Sequence, residues 1–208
     1  MRLPNLLSLV TLLVASTFAS ADSVVAASDL SAASFAGANL CPENQDCEEL
    51  TQQFTVSTPV QIDEIKVVVT NGGLPFDGRG TFNLSLGSAL GAGMEIGSGD
   101  ASMGPPEKFD FTGLDISLPA GTYYLLMTGD DAGWSPAPTL TTSLGSLGPE
   151  WACDPTLFGC TTAFGWQTTR LIAAVEIDGT AITPEPSTLA LFGTGLLVVV
   201  GEVRRRVA

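Results

Sequence analysis

The chain has 208 residues, 22 of them acidic and 8 basic, for a formal charge of −14, and it contains no histidine. The acid excess opposes nucleic acid and anionic lipid as partners. Without imidazole the commonest general base and transition-metal ligand are missing, so Ser-His-Asp and Cys-His catalysis are excluded.

The N-terminus has the composition of a secretory signal peptide spanning residues 1–21. Arg2 supplies the positive region, Leu6 to Val14 the apolar region, and Ala19-Ser20-Ala21 a small-residue cleavage site, so the mature chain is expected to begin at Asp22. From Asp22 to Thr183 twenty acidic residues face four basic ones, Lys66, Arg79, Lys108 and Arg170, a balance of −16. About 160 residues suit one domain with a sizeable core.

Asp22 to Asn39 is rich in Ala and Ser with little periodicity, and is expected to lie along the fold, anchored by Phe35 and Leu40. Strands follow. Gln52 to Val56 is the first. Val60 and Ile62 then share one parity and Ile65, Val67 and Val69 the other, a change of face at Asp63-Glu64 that predicts a β-bulge. Phe82, Leu84 and Leu86 alternate with polar residues as in a strand with one buried face. Gly87 to Gly104 is glycine-rich and is expected to be a loop, with at most a short strand at Met94 to Ile96.

Phe109 and Phe111 switch parity at Gly113 to Leu114, Ile116 and Leu118. Leu118-Pro119-Ala120-Gly121 suits a type I turn closing a hairpin. Thr122 to Thr128 is continuously apolar, which predicts a strand covered on both faces. A polar excursion from Trp134 to Gly148 precedes a last strand from Thr168 to Ile177, with a turn at Asp178-Gly179 and a linker from Ala181 to Pro186. No amphipathic helix is evident between residues 22 and 182, and short strands punctuated by Gly and Pro point to an all-β sandwich.

Four cysteines form two close pairs, Cys41/Cys47 and Cys153/Cys160. In an exported chain disulfides are the expected state, and local closure is the preferred one of three pairings. A carboxylate pair for glycoside hydrolysis is chemically available, but no feature of the sequence selects one; the acidic residues suit a solvated surface. No metal site is expected, apart from a structural calcium to which Gly129-Asp130-Asp131 or Asp46, Glu48 and Glu49 would contribute. Trp134, Trp151 and Trp166 lie in or near loops and are the candidates for stacking on sugar rings; the alternative is that they cap the core.

The last 26 residues, 183–208, carry the most specific signal. Pro184-Glu185-Pro186 is an extended polar triplet, because proline fixes φ and lacks an N–H. An apolar run of about 187–203 follows, with Glu202 as its one charge and long enough for a single transmembrane helix, and Arg204-Arg205-Arg206 forms a cytoplasmic stop. In this order the three features closely resemble the PEP-CTERM sorting signal. The resemblance implies an exported substrate of an exosortase, held transiently in the inner membrane and then released to the cell surface or extracellular matrix. It also implies a body of residues 22–182 that accompanies exopolysaccharide and is not an enzyme. The stretch Phe109 to Leu125 is similar to a hairpin of exported PEP-CTERM proteins with jelly-roll bodies, which implies a jelly-roll-like sandwich.

Overall fold

The computed structural model describes residues 23–33, 49–71, 79–102, 104–130, 132–153 and 166–182. Within these, twelve strands build two antiparallel sheets. They are β1 (Ser23–Ser28), β2 (Glu49–Val56), β3 (Val60–Asn71), β4 (Arg79–Ala89), β5 (Ala92–Ser102), β6 (Glu107–Leu118), β7 (Gly121–Asp130), β8 (Ala132–Trp134), β9 (Thr139–Leu140), β10 (Gly145–Cys153), β11 (Gln167–Thr168) and β12 (Val175–Ala181). Sheet A has the order β6-β3-β12-β1-β9, with β8 also paired to β3; sheet B has the order β11-β10-β2-β7-β4-β5.

Alternation decides which side chains meet between the sheets. Val60, Ile62, Ile65, Val67 and Val69 from β3 face Phe82, Leu84 and Leu86 from β4 and Tyr123, Leu125 and Met127 from β7 across one continuous core. Strand β3 points both of its parities inward because its pairing shifts between Ile62 and Glu64: against β12 Asp63 is the extra residue of the expected bulge, whereas against β6 it stands opposite three residues, Gly113 to Asp115. On β6 the switch involves Gly113 (φ 68°) and Asp115 (φ 52°), both in left-handed backbone. Glycine takes this conformation without cost, and aspartate tolerates it better than most residues.

Four sequence expectations are corrected. Ser23–Ser28 is not a surface leader but a strand between β12 and β9, with Val25, Ala26, Ala27 and Ser28 buried. Its side chains are too small to give a strong periodic signal. The supposed loop from Gly87 to Gly104 is largely β5, an 11-residue edge strand. Its inward residues, Gly97, Gly99 and Ala101, are small because phenylalanine rings occupy the space: a Cβ on Gly97 would stand 2.7 Å from the Phe111 ring, and one on Gly99 2.7 Å from the Phe82 ring. Phe82 packs edge-on against Phe109 and Phe111, with ring centroids 4.9 and 6.4 Å apart.

Third, Pro119-Ala120 does not close a hairpin. Strand β6 lies in sheet A and β7 in sheet B, so this connection carries the chain from one sheet to the other. Two apolar strands joined by a tight turn read as a hairpin whether they pair or cross. Fourth, the last strand is split. Gln167–Thr168 pairs with β10 in sheet B, whereas β12 starts at Val175 in sheet A and runs through the supposed turn at Asp178-Gly179 to Ala181. Gly179 marks a bulge there, where a Cβ would come 2.2 Å from the Gln61 carbonyl oxygen.

Candidate functional site

Strand β12 delivers the chain to its sorting tail. Ala181 pairs with Val60, and the Ile182 N–H donates to the Pro59 carbonyl at 2.8 Å, so backbone hydrogen bonding continues to the residue before Thr183. Pro184, Glu185, Pro186 and Arg204, Arg205 and Arg206 lie outside the described residues, as do the apolar run of about 187–203 and residues 1–21, the expected signal peptide. Among the described residues no helix is long and apolar enough to cross a membrane.

The three tryptophans separate. Trp134 is 0% exposed, at the end of β8 against β3, and belongs to the core, so it is not placed to stack on a sugar. Strand pairing sets Trp151 opposite Thr51, with Leu126 beyond it on β7, along the outer face of sheet B. Trp166 precedes β11 with the parity of Thr168, which pairs with Trp151. Trp151 and Trp166 are half-buried. The indole nitrogens of both, and the Thr51 hydroxyl, are buried without a hydrogen-bond partner. Trp166 also lies against Gly91 (φ 70°) at the tip of the β4–β5 hairpin, where a Cβ would come 2.8 Å from the ring.

The carboxylates gather on the outer face of sheet A around a lysine that sequence reasoning did not single out. Lys66 Nζ lies 2.5 Å from Asp178, 2.6 Å from Glu176 and 3.2 Å from Glu64. Donating hydrogen bonds to Asp178 and then to Glu176 pushes its ammonium above the ordinary lysine range, against the opposing effect of burial. Three carboxylates around one ammonium form an ion-paired cluster. The legible signal was parity: Lys66 lies between inward Ile65 and Val67, and Glu176 and Asp178 lie between inward Val175, Ile177 and Gly179.

A second polar group lies between the sheets. Gln52 is fully buried; its amide donates to the Gln53 and Gly148 carbonyls, and its oxygen accepts from the Ala173 N–H at 2.8 Å. Glu150 is buried beside it and accepts from the Thr169 hydroxyl at 3.0 Å. At the start of β2, burial raises the pKa of the Glu49 carboxyl.

Asp46, Glu48 and Asp131, considered for calcium, lie outside the described residues, and among those described no group of three or more Cys, Asp or Glu is placed to hold a metal ion. Cys153, at the end of β10, is buried and disulfide-bonded. Cys41, Cys47 and Cys160 lie outside the described residues. At the opposite end of the sandwich, Leu86, Gly87, Ser88, Met94, Ile116, Leu118 and Tyr123 line an open, largely apolar cleft of about 310 Å³. Tyr123 closes its floor by donating to the Pro119 carbonyl at 2.8 Å.

Residues 183–206 match the family described as the PEP-CTERM protein-sorting motif. Among curated proteins none matches the chain. The chain therefore ends in a PEP-CTERM protein-sorting motif joined to an all-β body, and that motif marks it as an exported protein targeted to an exosortase.

Proposed function

We propose that this is a surface-sorted, non-enzymatic protein whose tail is removed by an exosortase. Residues 1–21 act as the signal peptide, and the run of about 187–203 is a membrane helix that holds the chain in the inner membrane until cleavage. The observation that carries the reading is the sorting motif at 183–206, which is separated from the last described strand by one residue, Ile182. Mass spectrometry of the mature surface form from a host with an exosortase should lack Leu189 to Ala208. An intact C-terminus on mature surface protein would overturn the reading.

For the body we propose a jelly roll that serves a structural role beside extracellular polysaccharide. What supports the fold is strand order. With β8–β11 set aside as an insertion, the sheets read β1-β12-β3-β6 and β2-β7-β4-β5, eight strands whose successive members mostly cross between sheets. What supports glycan contact is the pair of half-buried indoles, Trp151 and Trp166, on one face. Trp151→Ala and Trp166→Ala should weaken retention of the surface form on the host's polysaccharide, and incubation with that polysaccharide should release no reducing ends. Release of reducing ends would establish a hydrolase instead. The disulfides are read as Cys41–Cys47 and Cys153–Cys160, which non-reducing peptide mapping checks.

A further inference from the structure

The chain reaches its sorting motif with almost no spacer. Backbone hydrogen bonds hold it through Ile182, and the motif begins at residue 183. Fully extended, the two residues from Ile182 to Pro184 span about 7 Å, and the four to Pro186 about 14 Å. An enzyme that takes Pro184-Glu185-Pro186 into its cleft must therefore come up against the end of the sandwich where β12 finishes. Strand β1 starts at that same end, Ser23 beside Gly179, one residue after the expected signal-peptide cut. The described chain therefore begins and ends at one place, Ser23 beside Gly179.

That end differs chemically from the rest of the molecule. Its connections are 57–59, 90–91, 119–120 and 141–144, together with residues 23–24 and 179–182, and none contains Asp, Glu, Lys or Arg in a chain of net charge −14. The first charges back from it along the described strands are Asp63, Glu95, Asp115 and Asp178, and in the sequence Asp22 precedes Ser23 and Glu185 follows Ile182. The opposite end carries Asp29, Glu49, Glu107 and Lys108. The uncharged end also exposes apolar surface: Met94 is 61% exposed at the mouth of the cleft, Ile182 is 39% exposed, and Pro59, Pro119 and Ala120 are exposed beside them.

We infer that this uncharged end of the sandwich is a docking surface for the processing enzyme, so that the enzyme engages the folded body as well as the tail. The inference rests on the exosortase reading above. A neutral, partly apolar face suits close approach to a membrane-embedded partner, where a buried carboxylate would be left unpaired. The C-terminal membrane segment holds the face in position, and its short proline-containing loops lose little freedom on docking.

The test follows cleavage of the full chain in a host carrying the enzyme. Met94→Glu/Ala120→Glu, two exposed positions, should slow tail removal about tenfold or more, while Ser98→Glu/Ala32→Glu, exposed positions elsewhere, should leave it unchanged. A twelve-residue Gly/Ser insert between Ile182 and Thr183, spanning about 20 Å on average, should restore cleavage of the charged variant by letting the enzyme reach the motif without the body. Cleavage of the charged variant at the normal rate, or a defect that the insert does not relieve, would overturn the inference. Repeating the comparison with purified enzyme in detergent removes the bilayer; disappearance of the difference there would assign the face to lipid and overturn the enzyme contact. Failure of the unaltered chain to be cleaved would refute the exosortase reading itself.

Discussion

The two sheets share one core, but their outer faces are built on different terms. At the centre of sheet A the outer face is a charged cluster: Lys66 from β3 with Glu64 beside it and Glu176 and Asp178 from β12. At the centre of sheet B it is apolar and sheltered: Leu126 and Thr51 are buried and Trp151 half-buried. The difference appears strand by strand in the composition. Strand β12 alternates Val175, Ile177 and Gly179 with Glu176, Asp178 and Thr180, as a half-wet strand does, whereas Tyr123 to Met127 on β7 carries large apolar or aromatic side chains at every position and no charge. Continuity of apolar residues reports coverage on both faces more directly than any single residue reports burial.

The strongest test truncates the two leucines that face opposite ways on β7. Leu125 points into the core at 0% exposure and Leu126 outward at 8%. If sheet B has a dry outer face, Leu125→Ala and Leu126→Ala should each cost about 2–5 kcal/mol, the former more, because both leave partly collapsible cavities. Denaturant unfolding of the single variants measures this. A loss under about 1 kcal/mol for Leu126→Ala would make the outer face of sheet B as wet as that of sheet A, and the comparison would fail.

A smaller effect is expected at the sheet B edge, where the inner face is deliberately empty. Gly99→Ala would place a methyl 2.7 Å from Phe82 and 2.9 Å from Phe109, and overpacking of this kind costs about 1–3 kcal/mol. Thermal unfolding of Gly99→Ala beside Ser98→Ala, whose side chain is exposed, separates crowding from a general edge effect. Equal melting temperatures would mean that the phenylalanines do not need the glycine gap.

Much of this was legible from residues with one dominant environment. The parity change at Asp63-Glu64 located the bulge, and the inward sets of β3, β4 and β7 follow directly from alternation. What escaped were elements whose meaning lies in a neighbour. Gly97 and Gly99 are strand residues because rings from β6 and β4 fill the space beside them, and no local pattern records that. The Pro119-Ala120 connection looks the same in sequence whether its strands pair or part. Strand β10 contains Gly148 and Pro149 and is bulged between Leu147 and Glu150, so it read as part of a loop. Of the candidate site, the sorting tail was readable because its three features lie in order along the chain. The neutral end was not, since it is assembled from six separate segments.

The smallest expected effect concerns the charged face itself. Lys66 is 19% exposed and its three partners 18–27%, against 48% and 45% for the Lys108–Asp110 pair on β6. Exposed pairs contribute little, since water and salt screen them and ordering two side chains costs entropy. Lys66→Met should therefore cost about 1 kcal/mol, mostly from leaving three carboxylates without their cation, and Lys108→Met no more than about 0.5 kcal/mol. The pH dependence has a definite sign. The folded chain holds the Lys66 proton more tightly than the unfolded chain, so its stabilisation is complete below the unfolded value of about 10.4 and is lost only as pH rises above it. The stability gap between the native protein and Lys66→Met should then be flat from neutral pH to about 10, close above that, and shrink with added salt. A gap that instead closed between pH 7 and 9, or that matched Lys108→Met throughout, would show that the cluster is an ordinary solvated surface and that the two outer faces differ only in their residues, not in what those residues contribute.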